Sequence, residues 1–153
     1  MTKPLQRIQR PALLAAIVGP IQVLLGFNLA QLLWPEFDPI RRTISDLAAD
    51  DSPVQALMTS FFYLGGTLSL VVAVWARSLA WPGRVVIALA GLATYGLAFF
   101  TTPSQEGHSD AHRIFAVISF VLSSAWPLFA VRFDKRYPWI LRPAGAIMGT
   151  AIM

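Results

Sequence analysis

The sequence predicts an all-α, polytopic transmembrane helix bundle: four full spans, a partial fifth, and a short interfacial helix in the first outer loop. Three observations predict it. The 153 residues are 56% hydrophobic and only 13% charged, with a mean hydropathy of +0.59. A soluble domain carries about a quarter charged residues, so lipid must cover much of this surface. Second, four apolar runs approach or exceed the roughly 20 residues that cross about 30 Å of hydrocarbon. Third, the loops between them alternate in charge.

The spans are read at residues 12–34, 54–75, 85–100 with its flanks, and 114–131. The first follows Lys3, Arg7 and Arg10 as a signal peptide would. It is too long for one and lacks an A-x-A cleavage site, so it reads as an uncleaved span. Ser52-Pro53-Val54-Gln55 reads as an N-cap, a first-turn proline and a capping-box glutamine opening the second. Pro20 and Pro127 fall inside spans and are expected to kink them. A fifth helix starts near Tyr137, and from Pro143 only 11 residues remain, about 16 Å of helix. The expectation is one transmembrane domain over 1–153, without linkers or repeats and shortened at its C-terminal end.

Charge sets the orientation. The N-terminus and the 77–84 and 132–142 loops hold nine of the twelve Lys and Arg residues. Segments 35–53 and 101–113 hold seven of the eight acids, with Arg41, Arg42 and Arg113. The positive-inside rule then puts the N-terminus in the cytoplasm and the acidic segments outside, in a multi-pass plasma-membrane protein. Although the net charge is +4, the basic residues lie in short inter-span clusters rather than on one face. That argues against a nucleic-acid partner; membrane lipids, and other membrane proteins meeting small-residue seams, are the partners this pattern fits. With no cysteine, disulfides, thiolate metal sites and cysteine nucleophiles are excluded.

Two polar regions carry the functional candidates. In the first outer segment, Asp38 suits a helix cap and Pro39 the first turn. Ile40, Ile44 and Leu47 share a face, and Arg42 and Asp46 stand i, i+4 for an ion pair. This predicts an interfacial helix whose arginines are either a solvated face or a lid over a polar cavity, gripping a carboxylate or phosphate.

The second region is Glu106-Gly107-His108-Ser109-Asp110-Ala111-His112-Arg113. His108 and His112, spaced i, i+4, would reach one zinc from a helix, with Asp110 and other acids completing the set. That reading is a metal-assisted membrane hydrolase. Against it, Ser109 and Asp110 are both good N-caps, and either one places His108 outside the helix. No cofactor is expected; zinc is the alternative. Ser45, His112 and Asp46 lack a nucleophile-elbow context, and no phosphate-binding glycine loop or dinucleotide fingerprint is present.

Within the spans, Gln55, Thr59, Tyr63 and Thr67 form one stripe and His112, Ala116, Ser119 and Ser123 another. Gln22, Asn28 and Gln31 lie in the first span, and Gly91, Thr94 and Tyr95 in the third. These stripes fit either a small-residue packing seam or the wall of an outward-opening pocket. No acid or base lies at the bilayer centre, which disfavours ion-coupled transport.

Phe37-Asp38-Pro39-Ile40-Arg41-Arg42-Thr43-Ile44-Ser45-Asp46-Leu47 resembles the first-loop signature of the DUF998 family of bacterial and archaeal membrane proteins. The stretch from Thr102-Pro103 to His112 is similar to the family's later proline loop and histidine. The resemblance covers essentially the whole chain. It implies about six spans, no established activity, and a polar signature at Asp38, Arg41, Arg42, Ser45, Asp46 and His112. This sequence departs from the pattern by having no acid beside Pro103 and by ending before the last spans. Three functions follow as expectations. The first is a non-enzymatic membrane protein whose outer polar cavity binds a lipid headgroup or small anion. The others are the zinc hydrolase and a structural or assembly subunit of a membrane complex.

Overall fold

Why the apolar runs become helices is clearest at their ends. The structure, a computed structural model, describes residues 8–152; Lys3 and Arg7 of the N-terminal basic cluster and Met153 lie outside the described residues. Its helices are α1 (Arg10–Leu33), α2 (Gln55–Trp75), α3 (Trp81–Phe99), α4 (Asp110–Phe129) and α5 (Pro143–Ile152). Single 3-10 turns stand at Asp46–Ala48 and Trp139–Leu141, and no strand occurs among the described residues. The first four helices are long and apolar enough to cross a membrane, and α5 is a shorter apolar helix.

α3 begins four residues before the apolar run at Val85. Pro82 is tolerated in its first turn, where the missing N–H leaves no helical bond unmade. Arg84 folds back onto the end of α2, donating to the Ala73 and Val74 carbonyls at 2.6 and 2.7 Å. Pro127 falls in the last turn of α4, next to its stop at Ala130, so only Pro20 is a mid-span proline.

The capping box expected at Ser52 takes another form. The helix starts at Gln55, and the buried Ser52 hydroxyl donates to Leu47 O at 2.8 Å and accepts from Val54 N at 3.2 Å. It ties the first loop to α2.

Packing runs in chain order: α1 on α2, α2 on α3, α3 on α4 and α4 on α5. α3 is the most enclosed of the long helices. Small residues make the close approaches. A Cβ on Gly91 would stand 2.9 Å from Gly66 O across the α2–α3 seam, and one on Gly83 would overlap the Ala130 backbone. Gly26 receives the Phe61 ring and Gly96 the Phe115 ring. Between these contacts Thr67 shares a 2.7 Å hydrogen bond with Tyr95, and Thr94 one of 2.9 Å with Ser119. Much of the intramembrane polarity is therefore a packing seam, where small and hydroxyl residues replace the missing hydrophobic drive between helices.

The first outer segment differs from its expectation. In place of an α-helix over Ile40, Ile44 and Leu47 it forms successive turns and the short 3-10 turn Asp46–Ala48. Local side-chain bonds explain the change. Asp38 Oδ1 accepts from Ile40 N at 2.9 Å and Asp46 Oδ2 from Thr43 N at 2.8 Å, competing with helical bonds. Ile40 is left 93% exposed, whereas Leu47 is fully buried. The segment is nevertheless packed: Phe37, Leu47 and Ala48 join Ala30, Val54 and Met58 in a buried cluster capping α1 and α2.

Candidate functional site

Each end of the bundle is knit by its own loops. At the acidic end the 34–54 and 100–109 segments meet. Asp50 N donates to Thr102 O at 2.9 Å, Thr101 Oγ1 to Asp50 Oδ1 at 2.5 Å, and Gln105 N to Asp51 Oδ1 at 3.0 Å. At the basic end Arg132 donates to Ser78 O and Leu79 O at 3.0 and 2.6 Å, closing the 76–80 turn against the end of α4. The charge alternation of the loops thus corresponds to two physical poles.

The six signature positions all lie at the acidic pole, with unequal roles. Asp38 shapes its own turn and stands 3.6 Å from Arg41, whose side chain is 86% exposed. Arg42 does not pair with Asp46. It crosses to Glu106 at 3.2 Å and so joins the first segment to the EGHSDAHR stretch. Asp46 is committed to the Thr43 backbone, and Ser45 lies half-buried, its carbonyl accepting from Ala48 N at 3.0 Å.

His112 is 4% exposed. Its Nδ1 lies 2.9 Å from Phe100 O, a carbonyl, and so donates to it; Nε2 is buried and has no hydrogen-bond partner among the described residues. The Ser45–His112–Asp46 grouping is not assembled, since the acid and the imidazole each bond elsewhere.

Ser109 is the N-cap of α4, accepting from His112 N at 3.3 Å. His108 therefore precedes the helix and is exposed, as is Asp110, while His112 points inward. The i, i+4 geometry for one shared ion does not apply to this pair. Among the described residues no three His, Asp or Glu side chains converge on a metal-binding position.

A larger feature lies elsewhere. A groove of about 610 Å³ runs between α1 and α4, with residues of α2 and α3 in its wall, and none of the six signature positions lines it. Sequence reading centred on the charged loops passed over it. The available signal was Ala12, Ala15, Ala16, Gly19 and Gln22, a helical-period stripe of small residues ending in an amide. Also missed were Asp50, Asp51 and Thr101, the residues that join the acidic loops, because such pairings have no sequence spacing to mark them.

Neither the curated proteins nor the solved structures include a match to this chain. One family model does match, over residues 17–153, and its description is "Protein of unknown function (DUF998)". With the match spanning both acidic segments, most of α1 and the whole of α2, α3 and α4, the chain belongs to the DUF998 family of integral membrane proteins.

Proposed function

We propose that this chain is a non-enzymatic, multi-pass plasma-membrane protein whose acidic pole faces outward and binds a lipid headgroup or small anion through Arg41 and Arg42. The observation that carries the reading is the arginine pair on a packed loop. Phe37, Leu47 and Ala48 anchor the segment in the core, so its guanidiniums are presented from a held backbone. Among the described residues Arg41 has only its 3.6 Å contact to Asp38, and Arg42 a single exposed carboxylate partner that an anion can displace. Guanidinium forks match carboxylate and phosphate geometry, and an exposed ion pair contributes little to stability, so exchanging it costs little. Nine of the twelve basic residues lie in the opposite loops and terminus, which supports the outward placement.

The test uses purified full-length protein with a fluorescent short-chain phosphatidylglycerol and, separately, inorganic phosphate. Arg41→Ala plus Arg42→Ala is expected to weaken binding about tenfold, the loss of roughly 1.4 kcal/mol of charged contact. Competition by phosphate at the same site identifies an anion site; binding of the phospholipid alone identifies a headgroup site. Unchanged affinity for both probes in the double variant sinks the proposal.

A further inference from the structure

The groove between α1 and α4 lies in the half of the molecule away from Arg41 and His112: its lining follows α1 from Ile8 to Val23 and takes in Ser78 and Leu79 of the basic-end turn. Its roughly 610 Å³ falls within the span of small-molecule sites, about 300–1,000 Å³. A partner helix about 10 Å across would find room for only about 8 Å of its length, under two turns. The occupant that fits is a small molecule.

The lining selects its chemistry. Among the described residues it contains no Lys, Arg, His, Asp or Glu, so a charged group beside them would be desolvated without a counter-ion. Its Ser69 and Thr94 hydroxyls are already committed, donating to Gly65 O at 3.0 Å and Ala90 O at 2.9 Å. Gln22 is different. It is 5% exposed, at the thirteenth of the 24 residues of α1 and so near mid-span, and its Oε1 has no hydrogen-bond partner among the described residues. Its Nε2 lies beside Gly65, where a Cβ would stand 3.2 Å away. An unmet amide at that depth is costly, because hydrocarbon supplies nothing to bond it. Turning the amide over exchanges donor and acceptor, and a hydroxyl, which both donates and accepts, satisfies either orientation.

We infer that this groove binds a neutral alcohol with a long apolar body, its hydroxyl bonded to the Gln22 amide and its chain lying along Ala12, Ala15, Ala16 and Gly19. The site is independent of the anion-binding reading and stands or falls without it.

Photolabelling of the full chain in lipid nanodiscs tests it, with a diazirine-bearing long-chain primary alcohol and the matching diazirine alkane as probes. The alcohol is expected to label α1 more strongly than the alkane. Gln22→Leu keeps a similar volume and should cut alcohol labelling about fivefold while leaving alkane labelling unchanged. Gly19→Phe is the second variant: Gly19 lines the groove and a Cβ there meets nothing within 4 Å, so the added side chain starts from open space. It should abolish labelling of the groove by both probes without lowering the thermal midpoint. Full alcohol labelling in either variant, or equal loss of alcohol and alkane labelling in Gln22→Leu, overturns the assignment.

Discussion

The hydroxyl of Ser109 accepts the His112 N–H at 3.3 Å and so fixes where α4 begins, which in turn separates His108 from the helix and turns His112 inward. One side chain decides the fate of two histidines. An N-cap serine is worth about 1 kcal/mol, so Ser109→Ala should lower the thermal midpoint by a few degrees. Ser109→Asp, also a good cap and favoured by the helix dipole, should restore it. Scanning calorimetry in detergent reads both, and an unshifted midpoint in Ser109→Ala would remove the cap from this account. The same scale explains the first loop. The spacing of Ile40, Ile44 and Leu47 was helical, but the Asp38 and Asp46 carboxylates took the backbone N–H groups locally, and periodicity cannot register that competition.

Helix pairs meet through glycine, and the neighbour decides how strict each requirement is. At Gly26 and Gly96 the partner is an aromatic ring, which can turn. At Gly83 it is the Ala130 backbone, and a main chain at a helix end has nowhere to go. Gly83→Leu should therefore destabilise by about 1–3 kcal/mol, the usual cost of overpacking, and more than Gly96→Ala does. Comparing thermal midpoints of the two variants checks this; an equal or smaller loss at Gly83 would contradict it. The four long helices and their approximate ends were legible in sequence, since length and hydropathy are local properties. Which stripe of small residues meets which was not, because Gly66 and Gly91 are brought together by packing and share no spacing.

At the scale of the molecule, two knit poles leave an open groove between α1 and α4. The poles give a direct test of orientation, because the chain has no cysteine to interfere. His108→Cys places a thiol at the exposed acidic pole and Lys135→Cys one at the exposed basic pole. With the N-terminus inside, a membrane-impermeant maleimide should label His108→Cys in intact cells and Lys135→Cys only after permeabilisation. The reverse pattern would overturn the proposed orientation and with it the outward arginine pair.

Hydropathy, charge alternation and cap chemistry are one-dimensional quantities, and from them alone came the membrane-spanning class, the order of the spans, the segregation of acid from base and the split of the histidine pair. Contacts between distant segments decided the rest. Arg42 chose Glu106, 64 residues away, over the neighbouring Asp46, and the Asp50 and Asp51 carboxylates reached the loop after α3. Gln22 passed from one polar residue among several to a buried amide on a groove, because its surroundings are set by helices whose approach is governed by side-chain volume.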